Sequence, residues 1–165
     1  MKHLNTLLIA AALFFGTSQV NAQAKIAHVN VEEITTKFPA FIDAQKQLEK
    51  ISQTYEADFT TMRNELQTRL QKYSAEAETV SEAINKERQK EVEDMEKRIQ
   101  EFGQTAQKEI QQKNMDLMKP IQLKIKASIE KVGRAKGFQY VQDVASFIYA
   151  DGTDLTADVK KDLGF

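Results

Sequence analysis

The run from residue 40 to residue 132 contains a single glycine, Gly103, and a single proline, Pro120. Because glycine and proline are the strongest breakers of regular structure, so long a run with only two of them predicts helix. Charged and polar residues dominate the run, and only a thin apolar stripe passes through it. A narrow stripe cannot supply the core of a globule. The run therefore predicts an extended coiled-coil arm, and such arms hold partners rather than catalyse reactions.

The apolar stripe has helical spacing on both sides of a central turn. Its steps are mostly three or four residues, which keeps it on one face of a helix. A thin seam on two consecutive segments predicts an antiparallel helical hairpin; the alternative is one unbroken helix that pairs between subunits. The outgoing positions are Leu48, Ile51, Tyr55, Phe59, Met62, Leu66, Leu70, Tyr73, Ala77, Val80 and Ile84, and the returning ones are Val92, Met95, Ile99, Phe102, Ala106, Ile110, Leu117, Ile121, Ile125, Ile129 and Val132.

The arm is predicted to span residues 39–137, with its tip near residues 75–82. Pro39 suits the first turn of a helix, where its missing N–H costs nothing. At the tip, the sequence from Thr79 to Glu82 resembles a capping box in which Thr79 caps the second helix. Inside the return helix, Pro120 removes one backbone hydrogen bond and Gly103 lowers helix propensity. Both are predicted to act as hinges of a flexible arm.

Short strand-like segments lie on both sides of the arm. Lys25 to Val31 is rich in β-branched residues and is predicted to be a strand. Phe138–Val144 and Phe147–Tyr149 are predicted to be two more strands. Leu155–Leu163 is predicted to be a short final helix, capped by Asp154 or Thr156.

Residues 23–38 and 138–165 therefore form one small β-rich body at the base of the arm. The predicted fold class is α+β and mostly α, with a long antiparallel helical hairpin on that body. A body of this size supplies little stability alone, and its strands have exposed edges. We expect an obligate oligomer, a dimer or a trimer, with an interface formed by Val29, Val31, Val141, Val144, Phe147 and Ile148.

Residues 1–22 have the pattern of a cleaved secretory signal. A short positive start is followed by an apolar core and a small-residue end, with cleavage predicted after Ala22. The apolar core is much shorter than the roughly 20 residues that span a bilayer. The chain has no cysteine, so packing or oligomerisation must supply the stability that disulfides give many exported proteins.

Charge and residue patterns exclude several classes of function. Removal of residues 1–22 leaves 22 basic and 24 acidic residues, which disfavours nucleic acid and strong attraction to anionic lipid. His28 is the only histidine of the mature chain, and its strand setting favours packing over catalysis. We find no metal-ligand spacing and no phosphate-binding glycine loop. The sequence therefore predicts no enzyme activity, no catalytic residue, no metal and no cofactor.

The first strand and the C-terminal run carry a resemblance to a known family. The order of signal peptide, first strand, helical hairpin, Gly137–Asp143 and the run from Tyr149 to Val159 resembles the Skp family of periplasmic chaperones, also called OmpH-like. The resemblance covers the whole mature chain. It implies a homotrimer in which three helical arms enclose a cavity, and a holdase that keeps unfolded outer-membrane β-barrel proteins apart without ATP, in the periplasm.

The charge distribution departs from the basic arms of the best-known relatives. Residues 72–98 hold six basic and eight acidic residues, whereas residues 108–136 hold eight basic and three acidic ones. Electrostatic contact with a client is therefore expected near the body and not at the tip. Individual client contacts do not transfer from the family. Three side chains off the main stripes are candidate cavity contacts: Phe38, Phe41 and Met118.

Overall fold

The computed structural model describes residues 24–165. The chain runs through strand β1 (Ile26–Val29), helix α1 (Val31–Lys37), helix α2 (Pro39–Glu76) and helix α3 (Glu82–Ala135) before it returns to the body. The predicted signal sequence and its cleavage after Ala22 lie outside the described residues.

The remaining elements complete the body beside β1. They are strand β2 (Tyr140–Asp143), a 3-10 turn (Val144–Ser146), strand β3 (Thr153–Asp154) and helix α4 (Thr156–Leu163). β1 lies between the other two strands and is parallel to both. The predicted fold class is confirmed: a long helical hairpin stands on a small strand body.

The body has one core, and both ends of the chain contribute to it. The core contains side chains from β1, α1 and α4, and from the ends of α2 and α3 that lie nearest the body. The buried members are Ala27, Val29, Ile34, Phe38, Ala44, Ile121, Ile125, Val132, Leu155 and Val159. The two strand-bearing ends of the chain are thus held together at the base of the arm.

The arm is an antiparallel pair of helices. Contacts between α2 and α3 join residues whose numbers rise on one helix as they fall on the other, as in Tyr55–Glu109 and Tyr73–Glu91. The chain reverses at residues 77–81, between the two helices. The predicted capping residue is wrong by two positions. The Oγ of Ser81 accepts the N–H of Ile84 at 3.3 Å, whereas the hydroxyl of Thr79 donates to the carbonyl of Glu76.

The third strand also differs from its prediction. Phe147–Tyr149 is not a strand, and the position beside β1 is taken by Thr153–Asp154. The backbone N–H of Leu155 donates to the carbonyl of His28 at 2.9 Å, which extends this pairing by one bond. β2 is also shorter than the predicted Phe138–Val144.

Polar contacts close the carboxyl ends of the strands. Asn30 follows β1, and its side chain accepts the N–H of Glu33 at 2.8 Å, capping α1. Its own N–H donates to the Oγ1 of Thr156 at 2.9 Å. Asp154 accepts both the N–H and the hydroxyl of Thr156. The run Asp154-Leu155-Thr156 therefore joins β1, α1 and α4 through one connected set of bonds.

Ion pairs fasten α4 to the neighbouring helices. Lys131 of α3 pairs with Asp162 at 2.5 Å, and Lys160 pairs with Glu33 of α1 at 2.7 Å. The hydrogen bond from Lys160 is the main cause that lowers the pKa of Glu33 below the ordinary glutamate value of 4.5. The bond from Lys131 likewise lowers the pKa of Asp162 below the ordinary aspartate value of 3.8.

We expect these two pairs to make the body less stable in acid. A carboxyl whose folded pKa is depressed contributes stability above its unfolded pKa, and this stability is lost as the pH falls through the folded value. The gap in unfolding free energy between wild type and a Glu33→Gln, Asp162→Asn double variant should therefore be full at about pH 6 and shrink below about pH 4. Urea unfolding at several pH values measures it. A gap that stays constant down to about pH 2.5 would contradict the pairing.

Candidate functional site

The structure offers two surfaces for function: one face of the small sheet and the outside of the arm. On β1, Ala27 and Val29 point into the core, and Ile26 and His28 lie on the other face. Ile26 is in register with Tyr140 on β2, so the two side chains are neighbours on that outer face. Both are more than half exposed. The outer face of the sheet thus leaves Ile26 and Tyr140 uncovered in one subunit, beside the polar residues His28 and Gln142.

The loop after β2 adds two more exposed apolar side chains. Ile148 is fully exposed, and Tyr149 is largely exposed. We call Ile26, Tyr140, Ile148 and Tyr149 the body apolar set. A small body with this much exposed large apolar surface has the composition of an interaction site.

The predicted interface residues are only partly in this set. Val29 is 1% exposed and belongs to the subunit core, so its assignment to an interface is corrected. Val31 and Val141 are partly buried and pack against that same core. Val144 and Phe147 are half-buried, and Ile148 is exposed. Alternation along β1 signals two faces, and the face that holds Val29 packs inside the subunit.

The three candidate client contacts lie at the base of the arm, within or against the core. Phe38 is 4% exposed, so its prediction as a client contact is corrected. Its ring centroid lies 5.4 Å from that of Phe165, and the ammonium group of Lys124 lies over the Phe38 ring. Phe41 and Met118 are partly buried and pack against the core. They fill the junction between arm and body.

Other apolar side chains on the arm are exposed and were missed. Met115 and Leu123 of α3 are more than half exposed, and Ile42 of α2 is also exposed. Met115, Lys119, Leu123 and Lys126 follow one another at steps of four, four and three residues, so they share a helix face. This face lies opposite the seam. Its signal in the sequence was the presence of apolar residues off the stripe, among charged neighbours.

The basic segment at the root of α3 is partly neutralised inside the protein. Within the described residues, Lys131 and Lys136 pair with Asp162 and Asp158 of α4, and Lys126 lies 4.0 Å from Glu130. No carboxylate of residues 24–165 lies within 4 Å of the ammonium groups of Lys113 and Lys119. Part of the excess positive charge is therefore structural, and part faces solvent.

The two predicted hinge residues lie inside a continuous helix. α3 runs without a break through Gly103 and Pro120. A Cβ placed on Gly103 would meet the ring of Phe59 at 3.7 Å, an ordinary contact distance. Beside it, Tyr55, Phe59, Phe102 and Gly103 line an apolar groove between the helices of about 600 Å³. Hinge motion at either residue remains a prediction.

The described part of the chain contains neither a metal cluster nor a membrane helix. In residues 24–165, no group of three or more His, Asp and Glu side chains is placed to hold a metal ion. None of the helices in that range combines the length and the apolar character needed to cross a membrane.

The fold and the surfaces define a class of protein: one with a long, non-globular arm on a small strand body, whose exposed apolar residues in the described range are spread over both parts. The sequence model described as "Outer membrane protein (OmpH-like)" matches residues 25–163. The chain belongs to this OmpH-like family, as its resemblance to Skp predicted. The outer membrane chaperones of the family are periplasmic.

Comparison with known proteins also gives a structural relative. The chain is similar to the crystal structure of a proposed outer membrane chaperone (OmpH-like) from Caulobacter crescentus CB15, with a TM-score of 0.78 and 17% sequence identity. The match covers 86% of this chain and 85% of that one. At this identity the likeness establishes the fold alone. None of the curated proteins matches the sequence.

Proposed function

We propose that this chain is an ATP-independent periplasmic holdase that binds unfolded outer-membrane β-barrel proteins in a cavity between the arms of a homotrimer. The observation that carries the proposal is the OmpH-like architecture itself: membership of the family together with a long arm on a body whose sheet leaves Ile26 and Tyr140 uncovered. The hydrophobic contacts that shield apolar strands from one another have no preferred direction. Such shielding needs neither a catalytic group nor a nucleotide. We propose no enzyme activity and no cofactor.

The assembly is argued from the sheet. Parallel sheets are normally covered on both faces, whereas this three-stranded parallel sheet is covered on one. Copies of the same chain are the simplest cover, because the body apolar set is then buried in every subunit. We therefore replace the predicted interface with Ile26, Tyr140, Ile148 and Tyr149, beside Phe147 at its edge.

The client surface is argued from the arm. Most seam side chains hold α2 to α3, so they are not free to bind a client in the closed arm; Leu70 and Ile84, near the tip, are exposed exceptions. Ile42, Met115 and Leu123 are exposed and scattered, which suits weak contacts with many different chains better than one specific site. Lys119 and Lys126 flank Leu123 on the same face. An acidic segment of a client would be attracted there, near the body.

Light scattering after size exclusion tests assembly and holdase activity together. The mature chain is run alone and after a β-barrel protein is diluted into it from urea. We expect a trimer whose mass rises by one client, with no client aggregate. A trimer that does not bind the client would support the alternative, a structural or adaptor coiled coil of the envelope. The nearly neutral charge of the arm favours this alternative. A monomer would overturn the argument from the sheet.

Matched variants separate the two surfaces. Ile148→Asp should dissociate the trimer, whereas Leu70→Asp, an equally polar change far out on the arm, should leave the mass unchanged.

For the client, Lys119→Glu with Lys126→Glu should weaken binding more than Lys86→Glu with Lys90→Glu near the tip. Both pairs change the charge equally. If client affinity does not respond to salt, or if the two double variants weaken it equally, the electrostatic part of the proposal is wrong.

A further inference from the structure

The contacts that hold α2 to α3 change in kind along the arm. In the lower part, the seam has buried side chains at Ala44, Met95, Ala106 and Ile121, with partly buried ones such as Phe59 between them. On α2 no residue after Ala44 is buried, and on α3 none is buried before Met95, so the tip from residue 67 to residue 94 has no buried side chain. The large seam residues there are open to water, with Leu70 44% and Ile84 42% exposed. Apolar burial, the main source of helix pairing, therefore ends near Met95.

Polar contacts take its place across the tip. The guanidinium of Arg88 pairs with Glu76 at 2.5 Å and lies 4.6 Å from the ring centroid of Tyr73. The hydroxyl of Tyr73 donates to a carboxylate oxygen of Glu91. Arg69 lies 3.7 Å from the other oxygen of the same carboxylate. We call these five residues the tip clasp.

The members of the tip clasp depend on one another. Arg88 and Glu76 come from opposite helices, as do Tyr73 and Glu91, so each pair crosses the seam. Tyr73 belongs to both halves, since its ring meets Arg88 and its hydroxyl meets Glu91. The bond to Glu91 also raises the pKa of Tyr73 above the ordinary tyrosine value of 10.0.

We propose that residues 67–94 form a separately opening tip of the arm, closed by the tip clasp and therefore controlled by ionic strength. Partly exposed ion pairs contribute little each and are screened by salt, whereas apolar seams are not. Regions with few buried apolar contacts open locally while the rest of a protein stays folded. Opening uncovers Tyr73, Val92 and the remaining buried part of Leu70, the apolar side of the seam. The rigid wall of the arm then ends near Met95.

Hydrogen exchange of the full mature chain, followed by mass spectrometry, tests this directly. We expect amides in 67–94 to exchange at least about 10-fold faster than those in 117–132. Raising NaCl from about 0.05 M to about 1 M, where the Debye length is about 3 Å, should speed exchange of the tip about two- to fivefold and leave 117–132 unchanged. Equal protection of the two regions, or no response of the tip to salt, would overturn the proposal.

Two variants assign the effect to the tip clasp. Arg88→Gln should speed exchange of the tip about three- to tenfold and remove most of its salt response. The matched control is Lys97→Gln, because Lys97 pairs with Glu101 along α3 and does not cross the seam. Glu76→Leu with Arg88→Met should keep the tip closed at every salt concentration. If Lys97→Gln speeds exchange of the tip as much as Arg88→Gln does, the tip clasp is not what holds the tip closed. No client is needed, so the result is independent of the proposed holdase activity.

Discussion

Replacing Leu155 with alanine should destabilise the body by about 2–5 kcal/mol. Leu155 is 0% exposed and lies between β3 and α4, at the point where the C-terminal segment joins the N-terminal strand. Truncating a side chain in such a place removes its burial and leaves a cavity that the surrounding backbone cannot fill. Native proteins are stable by only about 5–15 kcal/mol, so the loss is a large part of the total.

Urea unfolding followed by circular dichroism measures this loss, at one fixed protein concentration because the proposed assembly makes stability concentration-dependent. The matched control is Leu123→Ala, the same chemical change at a side chain that is 58% exposed. Its effect should stay within about 0.5 kcal/mol. Equal effects of the two variants would mean that the core around Leu155 does not support the fold.

The arm could be predicted from the sequence because its signal is local. A stripe with helical period needs no knowledge of distant residues, and the seam positions Phe59 and Met95 follow from spacing alone. The turn was harder to place at the level of single residues. Thr79 and Ser81 are both good caps and lie two positions apart, so only the position where the second helix begins separates them.

The body could not be predicted in the same detail because its strands depend on pairing. Phe147–Tyr149 has the composition of a strand, yet Thr153–Asp154 lies beside β1, where Leu155 can donate to the carbonyl of His28. Strand propensity reports how well side chains fit a pleated surface and does not identify the partner.

The candidate surfaces could not be predicted for the same reason, because they depend on which distant residues pack against each side chain. Alternation in β1 separates Ile26 from Val29, but both are large and apolar, so the pattern does not say which one faces inward. The core decides it, because α1 and α4 cover the Val29 face. Phe38 likewise lies off the stripe, which makes it a candidate cavity contact, whereas in the structure Phe165, at the far end of the chain, covers it.

Gly133 gave no usable signal in the sequence, yet the structure gives it a specific role. It lies within α3, where that helix passes β2, and a Cβ at this position would be 2.8 Å from the Cγ2 of Val141. We expect Gly133→Ala to destabilise the body by about 1–3 kcal/mol, as overpacking does. The gain in helix propensity, about 1 kcal/mol, acts in the opposite direction. The clash outweighs it because Val141 is β-branched and its strand is paired to β1, so neither can easily move.

The same helix contains a matched control for this substitution. At Gly103 the added Cβ meets Phe59 at 3.7 Å, so Gly103→Ala adds helix propensity without a clash and should stabilise the arm by about 0.5–1 kcal/mol. Thermal unfolding of both variants should therefore shift in opposite directions. A Val141→Ala substitution removes the clashing methyl, so the double variant with Gly133→Ala should lose less stability than the two single losses added together. If both glycine variants stabilise the protein, α3 and β2 are further apart than this packing requires, and the helix root is free to move against the sheet.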